Sequence, residues 1–126
     1  PRLVSSAASD VYKRQAHEPE WFTTAPITAI KKTLNRVGWT VSDVDLWEIN
    51  EAFAVVPMAA MGDLGIAHEK LNINGGACAL GHPIGASGAR IIVSLIHALR
   101  QTEGKRGMAS LCIGGGEATA VALELI

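Results

Sequence analysis

Between Asn74 and Arg90 the chain reads Asn-Gly-Gly-Ala-Cys-Ala-Leu-Gly-His-Pro-Ile-Gly-Ala-Ser-Gly-Ala-Arg. This segment constrains the fold more than any other. Glycine weakens helix and strand interiors alike, and it lets a backbone come close to a ligand. The first part of the segment must therefore be a loop, and that loop holds one histidine, His82, between Gly81 and Pro83. A second glycine cluster follows in Leu111-Cys112-Ile113-Gly114-Gly115-Gly116-Glu117. Each cluster presents one reactive side chain, His82 or Cys112, and such a pair suits proton transfer and acyl chemistry.

Periodic segments surround the two clusters. Ile27, Ile30, Leu34 and Val37 make one apolar stripe, separated by Lys31, Lys32 and Arg36, and predict a helix from Pro26 that stops at Gly38. Thr24 is placed to cap it, with Pro26 in its first turn. Val44 to Ile49 predicts a short strand. Phe53 to Leu64 predicts a helix that tolerates Pro57 only within its first turn. Leu71 to Ile73 predicts a strand leading into the glycine loop. Ala86 to Gln101, with Ile91, Ile92, Leu95, Ile96 and Leu99 on one face, predicts the longest helix. Gly104 to Gly107 is expected to turn. Met108–Ile113 and Ala118–Ile126 are expected to pair antiparallel across the three glycines. The order α-β-α-β-α-β-β is a layered α/β arrangement.

At 126 residues there is room for one domain or part of a larger one. With 48% hydrophobic and 18% charged residues, a packed core is expected rather than disorder. The net charge of -1 leaves no electrostatic footprint for nucleic acid. The longest nearly apolar run, Ile91 to Leu99, is interrupted by Ser94 and His97 and is too short to span a bilayer. Two cysteines in apolar, glycine-rich surroundings make no disulfide framework, so a reduced, intracellular protein is expected. The first 15 residues are Ser/Ala-rich without a clear period. A transit peptide has this composition but begins with Met. The stretch Val4 to Gln15 also resembles translated adapter sequence, and residues 1–15 are expected to be foreign to the fold.

Each reactive residue has two readings. His82 leaves a strand and precedes a helix, where sites in open α/β sheets collect; it is either functional or a loop histidine satisfied by backbone carbonyls. Cys112 is either a small buried hydrophobe or a thiol beside glycine amides able to hold an oxyanion. Asn50, at a strand end, either caps the next helix or holds a water or substrate oxygen. Glu51 and Glu117 are candidates for orienting neighbours, or solvated charges. Cys78 reads as packing, and His97 as a surface or packed residue. The glycine spacing matches neither G-x-x-x-x-G-K-[ST] nor G-x-G-x-x-G. His82, Cys112 and Cys78 lack the paired short spacings of zinc ligands, so no metal is expected. Ser87 lacks the G-x-S-x-G frame of a nucleophile.

Asn50-Glu51-Ala52-Phe53, Gly75 through Arg90, and Cys112-Ile113-Gly114-Gly115-Gly116 together resemble the three C-terminal signatures of the thiolases, in the family's order. The resemblance runs from about Trp21 to Ile126 and is nearest the acetyl-CoA C-acetyltransferase group. It implies a thiolase C-terminal domain over residues 16–126, with its first strand missing. The implied reaction joins two acetyl-CoA into acetoacetyl-CoA and CoA, reversibly, by ping-pong acetyl transfer, with CoA thioesters as substrates and no cofactor. His82 would activate the nucleophilic cysteine and, with a water held by Asn50, bind the thioester oxygen. Cys112 would be the acid/base. The Gly114 amide would belong to the second oxyanion hole, and Ala52 and Phe53 would line the acyl pocket. In this family the nucleophile lies in an N-terminal domain, and neither Cys78 nor Cys112 occupies its motif. The resemblance therefore implies a missing partner domain, an inactive isolated chain, and a cytoplasmic homodimer or homotetramer when whole. Its alternatives are a 3-ketoacyl-CoA thiolase of fatty-acid degradation and a non-catalytic binding module.

Overall fold

The computed structural model describes residues 15–126. All but the last residue of the segment read as foreign lies outside the described residues. That residue, Gln15, forms with Ala16 a two-residue strand, β1.

The chain continues with helix α1 (Ala25–Val37), strand β2 (Leu46–Ile49), helix α2 (Val55–Leu64), the single turn α3 (Ala77–Leu80) and helix α4 (Ser87–Gln101). Strands β3 (Arg106–Ile113) and β4 (Glu117–Glu124) complete it. The four strands lie in the order β1-β4-β3-β2. β3 pairs antiparallel with β4, from Arg106 opposite Glu124 to Ile113 opposite Glu117. β2 pairs parallel with β3, Leu46 opposite Gly107 and Ile49 opposite Ser110. β1 borders β4 antiparallel.

The two sheet faces bury different helices. Trp47, Ile49, Met108, Cys112, Ala118, Ala120 and Ala122 pack with α1 and α2. Leu46, Ala109 and Leu123 pack with Ile91, Leu95, Ala98 and Leu99 of α4. Period-two alternation along the strands produces this division. In α1 the buried face is Ala25, Ala29, Ile30, Thr33 and Leu34, while Ile27 and Val37 flank it half-buried. The stripe read from the sequence is thus rotated toward its small residues, which bring the helix close to the sheet.

Helix α1 ends at Gly38, whose φ of 70° is the left-handed stop its residue type predicts. Thr24 does occupy the capping position, but its hydroxyl donates to the Trp21 carbonyl instead of capping. Pro57 falls in the first turn of α2, where it is harmless.

Three local expectations need correction. Leu71–Ile73 is not a strand: only Leu71 bridges to Trp47. Asn72 has φ 49°, and its side chain accepts from the Ile49 amide and donates to the Ile49 carbonyl, both at 2.9 Å. A carboxamide thus takes the place of the next backbone pairing. The turn expected at Gly104–Gly107 lies earlier, at Thr102–Glu103, and the strand already runs at Arg106. There the Asp45 carboxylate accepts the amides of Lys105 and Arg106, each at 2.8 Å. The strand expected from Val44 starts at Leu46, because Val44 still closes a 3-10 turn over Val41–Asp43.

Candidate functional site

Asn50 follows the last residue of β2, and its amide donates to the Ser110 carbonyl at 2.9 Å, continuing the ladder one step. The residue is 1% exposed. Its side-chain Nδ2 lies 3.4 Å from His82 Nε2, and its Oδ1 accepts from Arg90 Nη2 at 3.2 Å. Arg90 Nη1 also donates to the Gly81 carbonyl, immediately before His82. His82 Nδ1 lies 2.6 Å from Ser87 Oγ, which also approaches the Pro83 carbonyl at 3.1 Å. Ser87, at the start of α4, is fully buried. The strand end, the glycine loop and the first turns of α4 therefore meet in one polar cluster whose exposed member is His82.

Glu51 holds the loop from the other side. Its carboxylate accepts from Asn72 Nδ2 and from the Cys78 amide, both at 2.9 Å. It fills the space where a side chain at Gly76 would stand: a Cβ there would meet the carboxyl carbon at 2.3 Å. Partial burial pushes the Glu51 acid up, but the Cys78 amide, Asn72 and Arg90 together hold it below its ordinary value. The hydrogen bond to Glu51 in turn raises the Cys78 thiol. The orienting reading of Glu51 fits these contacts.

Cys112 occupies a different environment. It lies in the apolar cluster with α1 and α2, 7% exposed, and burial raises its thiol. The turn beyond it is closed by Gly116 N–H donating to the Ile113 carbonyl. Gly116, with φ 88°, packs so tightly that a Cβ would stand 2.3 Å from the His17 carbonyl oxygen. Gly114 and Gly115 are exposed at the tip. The structure thus joins Asn50 and His82 directly and places Cys112 and Gly114 at the neighbouring strand end.

Ala52 is half-buried. Phe53 is 59% exposed and meets Phe22 edge-on, ring centres 6.0 Å apart. An open groove of about 530 Å³ lies nearby, lined by Glu51, Pro57, Met58, Met61, Leu71 and Cys78 among others; Ala52, Phe53 and His82 are not on its wall. Glu117 is half-buried opposite Ile113, and His97 lies on the exposed side of α4.

Sequence reasoning missed Glu48, Asn72 and Arg90, and weighed Ser87 only as a nucleophile. Glu48 is 3% exposed inside β2, and its Oε1 has no hydrogen-bond partner among the described residues. Burial pushes its carboxyl up to about 7, with Arg90 opposing and Glu51 adding to the rise. A lone acidic residue in an otherwise apolar strand was the available signal. Among the described residues, no group of three or more His, Cys, Asp or Glu could hold a metal ion, and no helix is long and apolar enough to cross a membrane.

The α/β/α frame that carries the strand-end asparagine, the glycine-loop histidine and the cysteine before the glycine turn is shared with known proteins. The family model "Thiolase, C-terminal domain" matches residues 4–125, and the chain belongs to the thiolase family. Its similarity is to acetyl-CoA acetyltransferases in particular. It is 52% identical to the cytosolic acetyl-CoA acetyltransferase of Rattus norvegicus over 124 residues, covering 98% of this chain and 31% of that protein. It is 54% identical to acetyl-CoA acetyltransferase 2 of Arabidopsis thaliana, covering 91% of this chain and 28% of that protein. The crystal structure of the Bacillus anthracis acetyl-CoA acetyltransferase superposes with a TM-score of 0.87 at 45% identity, over 90% of this chain and 29% of that one. Human mitochondrial 3-ketoacyl-CoA thiolase in complex with CoA gives 0.86 at 42% identity, with the same coverage. The chain thus spans about a third of the length of the relatives it matches.

Proposed function

We propose that this chain is the C-terminal part of a thiolase that condenses two acetyl-CoA into acetoacetyl-CoA and CoA, and reverses that reaction. The observation that carries the reading is the Asn50–His82 pair at the strand end. In the first half-reaction, His82 Nε2 takes the proton of a cysteine supplied by the N-terminal domain. The thiolate attacks the thioester carbon, and CoA leaves as its thiol with the proton of Cys112, which is thereby left as a thiolate. The developing oxyanion is held by the protonated Nε2 and by a water on Asn50. In the second, Cys112 as thiolate removes a proton from the methyl group of another acetyl-CoA. The enolate carbon attacks the acyl-enzyme, whose oxyanion faces the Gly114 amide, and acetoacetyl-CoA departs from the regenerated cysteine. Burial that raises the Cys112 thiol suits a group that must give the proton back in the reverse direction.

Ala52 and Phe53 line the acyl pocket in this reading, once the N-terminal domain covers the exposed Phe53 ring. Only CoA thioesters enter as substrates, with no further cofactor. The domain runs from its edge strand β1, so Gln15 belongs to it rather than to the segment read as foreign. The complete enzyme is a cytosolic homodimer or homotetramer; relatives named as cytosolic support the compartment. A second reading, 3-ketoacyl-CoA thiolase acting on longer chains, is favoured by the nearly equal likeness to that human enzyme.

The first test is acetoacetyl-CoA thiolysis by the purified 126-residue chain, alone and fused behind a relative's N-terminal domain. The fusion is expected to be active and the chain alone inactive. Thiolysis by the chain alone, abolished in Cys112→Ala, would overturn the division of labour. A fusion that cleaves long-chain 3-ketoacyl-CoA faster than acetoacetyl-CoA selects the second reading.

A further inference from the structure

We propose that Arg90 and Ser87 are positioning residues that fix the direction of one hydrogen-bond chain, so that His82 carries its neutral-state proton on Nδ1 and presents a bare Nε2 to the cleft. The inference deepens the reading of His82 as a base.

The argument starts from Arg90, because a guanidinium can only donate. Arg90 Nη2 lies 3.2 Å from one side-chain atom of Asn50, which must therefore be the acceptor Oδ1. Arg90 cannot swing away without also releasing the Gly81 carbonyl, the second acceptor of its fork. The carboxamide is locked, and its Nδ2, which carries only hydrogens, is turned toward His82 Nε2 at 3.4 Å.

Two arrangements of His82 remain, since Ser87 Oγ can both donate and accept. If the imidazole proton sits on Nε2, Ser87 donates to Nδ1, and two donors confront each other between Asn50 and His82. If the proton sits on Nδ1, it is given to Ser87 Oγ at 2.6 Å, and Ser87 passes its own hydrogen to the Pro83 carbonyl at 3.1 Å. Every donor in the second arrangement meets an acceptor. In the first arrangement the buried Ser87 also gives up its hydrogen bond to the Pro83 carbonyl. The protein therefore selects the Nδ1–H form, the tautomer a base acting through Nε2 requires.

Arg90 decides this choice and Ser87 permits it. Their roles separate when the carboxamide is freed or replaced. Without Arg90, the Asn50 amide can rotate, Oδ1 then accepts from Nε2–H, and Ser87 donates to Nδ1. An aspartate at position 50 presents only acceptors to Nε2 and forces the same outcome with Arg90 intact.

The experiment is long-range ¹H–¹⁵N correlation of the imidazole side chains in the full 126-residue chain, at a pH where His82 is neutral, with His82→Gln assigning its resonances. Wild type is expected to show a pyrrole-type Nδ1 and a pyridine-type Nε2. Arg90→Leu and Asn50→Asp are each expected to move Nε2 to the pyrrole-type position, and Arg90→Lys to give an intermediate shift, because an ammonium is not a planar fork. Should Arg90→Leu not fold, Asn50→Asp alone decides. A pyrrole-type Nε2 in wild type, or a pyridine-type Nε2 retained in Asn50→Asp, would overturn the proposal. The readout needs no catalysis. An inactive fusion enzyme with Nδ1–H sinks only the catalytic reading, whereas an active one with Nε2–H sinks only this inference.

Discussion

The β2 end and the β3 end of the same sheet prepare their reactive groups by opposite means. At β2, His82 is exposed, and four polar partners around it are chosen for which way their hydrogens point. At β3, Cys112 is buried among alanines and aliphatic side chains, and its thiol is raised by the loss of water. Direction is cheap to break by one substitution, since each partner depends on the next. Desolvation is spread over many neighbours and resists single changes. The pair teaches that two groups a few residues from the same sheet edge can be tuned independently.

The largest expected effect separates the two ends kinetically. In the fusion enzyme, His82→Ala should slow acyl-enzyme formation by about 10²–10⁴-fold, the usual worth of a positioned base. Cys112→Ser should leave the acylation burst intact and impair carbon–carbon bond formation. Rapid-quench measurement with acetyl-CoA distinguishes these; equal loss of both steps in Cys112→Ser would mean that the β3 end is structural only.

Next in size is a pH effect located at Glu48, on the β2 side. Its carboxyl titrates near 4.5 when unfolded and at about 7 when folded. Between those values the folded chain holds a proton that the unfolded chain has released. Stability must therefore fall as pH rises through this window, by at most about 1.4 kcal/mol per unit. Asp43, Asp45 and Glu51 are shifted downward, so their contributions are lost only in more acid solution. Urea unfolding from about pH 5 to pH 8 should show the decline, and Glu48→Gln should flatten it. A Glu48→Gln variant with the wild-type slope would place the titration elsewhere.

Gly76→Ala should cost about 1–3 kcal/mol, as overpacking does, because the new Cβ meets the Glu51 carboxyl. Combined with Glu51→Ala, it should cost less than the sum of the two changes. Additive values in a double-mutant cycle would remove the steric explanation. The smallest change is Lys31→Ala on α1, remote from both ends. Its exposed ion pair with Asp63 should be worth about 0–1 kcal/mol in the same unfolding assay.

The parts of this fold that could be read from residues were the parts set by local periodicity. The hairpin declares itself through two apolar runs broken by three glycines, and α1 and α4 through their stripes. Leu71–Ile73 misled because it is apolar enough for a strand, yet Asn72 uses its side chain where a strand would use backbone. The single turn α3 was hidden inside a glycine-rich segment that gives no period to detect. The site divided in the same way. His82 and Cys112 were marked by glycines beside them, whereas the partners of Asn50 and His82 depend on chain-distant contacts. Asn50 and Arg90 are 40 positions apart, and no spacing rule joins them before the sheet has formed.

The strand order β1-β4-β3-β2 has a consequence for the order of events during synthesis. The fourth strand in chain order, β4, lies inside the sheet with α1 packed on it, and β2 must wait for β3 before it has a neighbouring strand. Contacts distant in sequence are slow to form. A growing chain thus carries Asn50 and His82 out of the ribosome unassembled. Only when Glu117–Glu124 emerges do both helix layers gain the whole four-stranded surface to close upon.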